Sequence, residues 1–166
     1  MNEKNQLEID TKSCMIRRYQ ERDCEALIDL FYDTVHSVNA RDYSLKQRNA
    51  WATGKEDCKQ WHQSFLAHET YVATINDKVV GFGDIDQTGY LDRLFVHKDY
   101  QGQGIATALC NQLERFIQSN IMTDASITAK SFFEKRGYQV LQEQKVARLG
   151  VYLTNFKMEK RRSFFE

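Results

Sequence analysis

A chain of 166 residues, 42% of them hydrophobic, can build one core and one domain. Charge is balanced, 23 basic residues against 23 acidic, so no overall field recruits nucleic acid and no nucleic-acid partner is expected. No apolar run approaches the roughly 20 residues of a transmembrane helix, and Met1 to Lys12 lacks the apolar centre of a signal peptide, so no membrane partner and a cytoplasmic location are expected.

Residues 1–12 read as a flexible lead-in. Met15 to Tyr19 reads as a first strand, after which Asp23 is placed to cap a helix with Leu27, Leu30, Phe31 and Val38 near helical spacing. Ser44-Leu45-Lys46-Gln47 is a capping-box pattern that opens a short helix ending near Trp51. Thr53-Gly54-Lys55-Glu56 repeats the pattern before a third helix with Cys58, Trp61, Phe65 and Leu66 on one stripe. The period then changes. Thr70 to Ile75 and Lys78 to Asp86 are β-prone runs joined by Asn76-Asp77, a hairpin signal, and Gly89 precedes a further run from Tyr90 to Val96. A helix from Gly104 to Asn120 is expected to bury Ile105, Ala108, Leu109, Leu113, Phe116 and Ile117. A short segment to Ile127 leads to a last helix, Thr128 to Arg136, stopped by Gly137. Tyr138 to Val146 and Val151 to Lys157 read as closing strands around Leu149-Gly150.

The order predicts an α/β fold, a mixed central sheet flanked by helices, with no repeat or linker to divide it. Proline is absent, so Gly, Asn and Asp must make the turns. Cys14, Cys24, Cys58 and Cys110 show no CxxC and no metal-ligand spacing with a histidine; they read as reduced, partly buried thiols, and no metal is expected. The basic run Lys160-Arg161-Arg162 reads as a solvated end.

The informative stretch runs from the strand ending at Val96, through His97-Lys98-Asp99-Tyr100, into Gln101-Gly102-Gln103-Gly104-Ile105-Ala106-Thr107. A strand feeding a glycine-containing loop that opens a long helix leaves backbone N–H groups unpaired at the helix start. Together with the helix dipole they attract an anion, and the missing side chains at Gly102 and Gly104 let a phosphate approach. A Walker loop would need a Lys after Gly104, and a dinucleotide fingerprint would need glycine where Thr107 stands. Both nucleotide readings fail.

The stretch resembles the pyrophosphate loop of the GNAT superfamily of N-acetyltransferases, whose motif Arg/Gln-x-x-Gly-x-Gly/Ala is matched by Gln101, Gly104 and Ala106. A second motif of that family is similar to Ala125 through Tyr138, with Phe132-Phe133-Glu134-Lys135-Arg136-Gly137-Tyr138 at its end. The resemblance is clear from about Val72 to Tyr138 and extends through Phe156. It implies a single N-acetyltransferase domain over residues 13–160, with acetyl-CoA (coenzyme A) as cosubstrate. Leu94, Phe95 and Val96 would pair with the pantetheine arm, and Gln101, Gly102, Gln103, Gly104, Ile105, Ala106 and Thr107 would cradle the pyrophosphate. The implied activity is acetyl transfer to a primary amine of a small molecule or a protein; an acyl-CoA-binding sensor without turnover is the alternative. The resemblance leaves a homodimer open.

Amine acylation needs a base, because an alkyl ammonium must lose a proton before it attacks. Asp92 stands where many family members carry an acidic base, with Asp84 and Asp86 as second candidates that would share a strand face. By resemblance, a backbone N–H near Phe95 or Val96 would meet the oxyanion. Family members often place a tyrosine directly before Glu-Lys in the second motif, but Phe133 stands here, leaving Tyr138, Tyr43 or water to supply the proton. The acceptor site is expected between the first two strands, where the chain is similar to a subgroup of bacterial GNAT proteins with Thr-Val-His, Asp-Tyr and Ala-Trp in this order. His36, Asn39, Tyr43 and Trp51 would meet there if the helices fold back over the slot; ordinary packing between helices is the other reading. His62, His68 and His97 read as surface residues.

Overall fold

The computed structural model describes residues 14–162, so the expected lead-in, 1–12, lies outside the described residues. Seven strands form one sheet: β1 (Cys14–Arg18), β2 (Glu69–Ile75), β3 (Lys78–Ile85), β4 (Tyr90–Val96), β5 (Ile121–Ser126), β6 (Gln139–Arg148) and β7 (Val151–Lys160). Their spatial order is β1-β2-β3-β4-β5-β7-β6, and every neighbouring pair is antiparallel except β4 with β5. The helices are α1 (Cys24–Ser37), α2 (Leu45–Trp51), α3 (Cys58–Ala67), α4 (Ile105–Glu114) and α5 (Lys130–Lys135).

Both faces of the sheet are covered, and each has its own core. On one side α4 brings Ile105, Leu109, Cys110 and Leu113 against Tyr71, Val80, Ile85 and Leu91, with Phe133 of α5 added. On the other, Leu27, Leu30, Phe31 and Val35 of α1 meet Phe65 of α3 and Val72 and Phe82 of the sheet. Two-sided burial explains why β2 and β3 are buried almost throughout rather than in alternation. Gly83 lets α4 lie close: a Cβ there would stand 2.9 Å from both Leu113 Cδ1 and the Arg93 carbonyl.

Several local expectations change under tertiary contacts. The helix opened at Gly104 ends at Glu114, so Phe116 is 41% exposed and stacks on Tyr71 instead of entering the core. Asp23 precedes α1 but makes no side-chain cap; its carboxylate takes a bidentate bond from Arg17, 2.7 and 2.8 Å, and the Gln20 N–H. The Ser44–Gln47 box forms as expected. The second box folds only a turn, with Glu56 accepting from the Thr53 N–H, and Asp57 caps α3. Leu66 leaves the expected stripe and is exposed, whereas Val35, not Val38, completes the α1 face.

Candidate active site

The site is an opening in the sheet. β4 and β5 pair only at Tyr90↔Met122 and Leu91↔Thr123, where the Thr123 hydroxyl also bonds the Leu91 carbonyl at 2.9 Å. Beyond that point β5 keeps its partner β7 and β4 keeps β3, while the two strands diverge from each other. One edge of β4 from Asp92 to Val96 therefore has no strand beside it. An extended ligand can add to such an edge by backbone hydrogen bonds. Leu94, Phe95 and Val96 line the resulting cavity of about 750 Å³.

The glycine loop borders the same cavity. Gly102 (φ 71) and Gly104 (φ 82) occupy the left-handed region, and a Cβ at either would meet nothing within 4 Å. Their conformation requires glycine, and the space before them is open. Gly104 is the N-cap of α4 and offers no side chain to the first-turn N–H groups, which thus face the cavity end unpaired by their own helix. The Gln101 amide donates to the Val96 carbonyl at 2.5 Å, tying the loop to the strand end. Gln101, Gly102, Gly104, Ile105, Ala106 and Thr107 line the cavity, and Gln103 lies between the two glycines. A pyrophosphate and a pantetheine arm fit this combination of bare glycine cradle, helix start and unpaired strand edge.

Asp92 reaches the cavity through a β-bulge. β3 pairs Asp84↔Arg93 and then Ile85↔Leu91, leaving Asp92 as the extra residue. A bulge re-aims a side chain out of strict alternation, and here Asp92, Arg93 and Asp84 gather on one side. Asp92 Oδ2 stands 3.7 Å from Arg93 Nη2. Burial, reinforced by the neighbouring charge of Asp84 and only partly offset by Arg93, raises its pKa above the ordinary carboxylate value. A base poised upward in this way is suited to take a proton from an ammonium.

Asp84 has a different role from the one its spacing suggested. It is completely buried, accepts from Arg93 Nη1 at 2.8 Å, and has His68 Nδ1 at 2.8 Å from the same oxygen; its other oxygen has no partner. Arg93 is held further by Ser64 at 2.9 Å and lies over the rings of Trp61 and Phe65. Oxygens of Asp84 and Asp92 and a ring nitrogen of His68 all lie within 4.8 Å of one another, and the positive charge at this cluster is the Arg93 guanidinium itself. His68 is thus no surface residue, and its pKa is raised by the hydrogen bond to Asp84. His62 is likewise engaged, with Nδ1 2.7 Å from the Tyr19 hydroxyl. Asp86, two residues on, lies past the end of β3 and instead caps the turn, accepting from Thr88 and from the Tyr90 N–H.

Of the expected acceptor residues, Asn39, Tyr43 and Trp51 line the cavity and His36 does not. His36 Nε2 is 2.8 Å from the Ala52 carbonyl, and its ring packs on Tyr32, so it braces α1 against the segment after α2. Tyr43 is buried; its hydroxyl donates to the Thr154 carbonyl at 2.6 Å and accepts from the Ile127 N–H at 2.9 Å. Asn39 donates to the Thr128 hydroxyl, which in turn donates to Asp42. These bonds anchor the helical wall to the ends of β5 and β7. Tyr138 turns away from the cavity to Glu114, at 3.1 Å, so neither it nor the committed Tyr43 hydroxyl has a proton aimed at the slot. Phe133 lines the cavity in place of the absent tyrosine.

Sequence reading missed the residues that come from across the slot. Tyr90 and Asp124 face each other over the β4–β5 junction at 2.7 Å, and Gln144 donates to the other Asp124 oxygen at 2.9 Å. The inward alternation of Ile121, Thr123 and Ala125 carried a signal that Asp124 faces the other way, but so short a segment did not declare itself a strand. Trp61 and Phe31 read as core stripe residues and prove to be cavity wall.

A splayed parallel strand pair, a glycine loop at a helix start and an acid on the strand edge together describe an acyl-transfer site, and comparison with known proteins gives the family. A family model described as an acetyltransferase (GNAT) domain matches residues 39–160. The chain belongs to the GNAT family and is an acetyltransferase. It is 38% identical over 144 residues to a protein of Escherichia coli K12 described as the uncharacterized N-acetyltransferase YafP, covering 86% of this chain and 93% of that one. A GCN5-related N-acetyltransferase structure from Rhodopseudomonas palustris superposes with a TM-score of 0.85 at 31% identity, covering 90% of this chain and 96% of that one. The fold is also that of a PaiA N-acetyltransferase from Thermoplasma acidophilum solved with coenzyme A, at a TM-score of 0.75, 19% identity, and coverage of 90% and 99%.

Proposed function

We propose that this acetyltransferase takes its acetyl group from acetyl-CoA and delivers it to a primary amine of a small molecule or a protein, with Asp92 as the base. The carrying observation is the meeting, in one cavity, of the unpaired β4 edge, the bare loop at Gly102 and Gly104, and the pKa-raised Asp92. Bound acetyl-CoA would supply an activated thioester carbonyl. Gln101 to Thr107 hold the anionic end of the donor, and Leu94 to Val96 align its arm along the strand. Asp92, directly or through a water, removes the proton from the attacking amine. Since Tyr43 and Tyr138 are committed elsewhere, the leaving thiolate takes its proton from solvent, and a thiol of pKa about 8.5 leaves acceptably without a dedicated acid. The coenzyme A complex of the PaiA relative supports the donor reading.

Thiol release from acetyl-CoA, followed across a panel of amines, tests the reading. Asp92 acts ionised, so the wild-type rate should rise with pH through its raised pKa. Asp92→Asn should lower kcat by about 100-fold, remove that limb, and leave acetyl-CoA affinity unchanged. An unaltered pH–rate profile would exclude Asp92 as the base. Tight coenzyme A binding without thiol release for any amine would favour an acyl-CoA sensor instead.

A further inference from the structure

We propose, resting on the transferase reading above, that the acceptor is a primary amine carried on an aromatic body. Every residue that lines the cavity from α1 through α3 is uncharged. Phe31, Val38, Tyr43, Trp51 and Trp61 form most of that wall, with Thr34 and Asn39 as its polar members, and Phe95 of β4 closes it from the sheet. The rings are mutually packed: Phe31 lies 4.9 Å from Trp61 and 5.1 Å from Phe95, and Trp51 lies 5.4 Å from Tyr43 and 6.3 Å from Phe95. Trp51, Trp61 and Phe95 are half-buried, so part of each ring faces the cavity. Flat apolar walls of this kind favour offset or edge-on contact with an aryl group.

The charged groups of the lining are Asp92, Arg93, Asp124 and Arg148, and Asp92 is the acid at the open strand edge. Arg93 is spent on Asp84 and Ser64. Asp124 accepts from Tyr90 and Gln144, and Arg148 is exposed on β6 with no ion-pair partner among the described residues. Asp92 alone accepts no hydrogen bond among the described residues, and it lies at the strand edge where the ammonium must be brought. A second cation on the substrate would be poorly received. Arg93 already sits over the Trp61 ring at 4.6 Å, and no carboxylate stands on the helical wall to pair with it. One ammonium at Asp92 and an aryl body against the rings satisfy both features together.

The test uses the full chain with acetyl-CoA and compares 2-phenylethylamine with spermidine and a lysine-containing peptide. The expected kcat/KM for 2-phenylethylamine exceeds each of the others by about tenfold or more. Trp51→Ala should raise its KM by about tenfold, leaving the KM for acetyl-CoA unchanged. The chain has two tryptophans, both in this wall, so intrinsic fluorescence with coenzyme A present reads acceptor binding without turnover. Saturable quenching by 2-phenylethylamine, blunted in Trp51→Ala, supports the proposal. Preference for spermidine or the peptide, or no saturable quenching by 2-phenylethylamine, overturns it. Absence of thiol release with every amine would count against the transferase reading, and the fluorescence titration would still decide the acceptor class.

Discussion

The two ends of α4 carry opposite halves of the same helix dipole and are treated in opposite ways. At the start, Gly104 contributes no side chain, nothing approaches within 4 Å of where its Cβ would be, and the first-turn N–H groups look into the cavity. At the finish, Glu114 is 3% exposed and fully engaged: Arg136 and Lys160 pair with its carboxylate, Tyr138 donates to it, and Arg162 donates to its carbonyl. Cations at a helix C-terminus are the stabilising sign, and the sealed end gains from both pairing and dipole. The lesson is a division of labour. Partners that would stabilise the N-terminal end are withheld, leaving its donors for an anionic ligand, and the opposite end supplies the rigidity that holds the loop in place.

That contrast can be broken from either side. Gly104→Glu should abolish coenzyme A binding, raising Kd more than about 100-fold, because it puts bulk and negative charge where the phosphates sit. The left-handed backbone adds only about 1–2 kcal/mol of strain, so circular dichroism should report a folded protein; normal coenzyme A affinity would refute the loop assignment. Glu114→Ala should do the reverse. Stranding Arg136 and Lys160 beside a buried site costs on the order of 3 kcal/mol, seen as a fall in denaturation midpoint, with coenzyme A affinity in the folded protein little changed. A shift in Kd matching the Gly104 variant would mean that the two ends are not independent.

A subtler comparison sets Asp84 against Glu114, since both are buried acids but only Glu114 has every oxygen paired. Asp84→Asn removes the charge that occupies Arg93, whose Nη2 is already 3.7 Å from Asp92. It also removes a like charge from Asp92, so the pKa of Asp92 should fall and the acid limb of the pH–rate profile should move to lower pH. A weaker base also works more slowly, so kcat at the plateau should drop, while a purely structural role for Asp84 would move stability by about 2 kcal/mol and leave the limb in place. The smallest effect concerns acid stability. Burial pushes the Glu114 carboxyl up, but bonds from Arg136 and Lys160 outweigh it and the net shift is downward. Its stabilisation is therefore present above the ordinary carboxylate pKa and is lost as pH falls through the depressed value. Urea midpoints below the ordinary carboxylate range should decline less in Glu114→Gln than in the parent.

Contiguous features were legible. The loop from Gln101 to Thr107, the Ser44 capping box, the Asn76-Asp77 turn and the glycine stop at Gly137 are set by backbone preferences within a few residues, and each stands where the chain order put it. The family motif lies in the same contiguous stretch, which is why the family resemblance could be read before the fold. Features that depend on register could not. Asp84 and Asp86 share a face in an ideal strand, but β3 ends at Ile85, so Asp86 falls in the turn and the two acids take separate tasks. His68, 16 residues from Asp84, and Asp124, 34 residues from Tyr90, find partners only across the sheet.

What the sequence determined by itself is the proposed donor end: two glycines whose positive φ and missing side chains leave an open helix start. What only the tertiary structure decided is the acceptor end. Which of His36, Asn39, Tyr43 and Trp51 faces the cavity, which acid is free and which is neutralised, and which aromatic rings form wall and not core all follow from how helices and strands distant in sequence pack. Backbone conformation is local and is written in a few residues; the exposure and pairing of a side chain belong to all the elements that surround it.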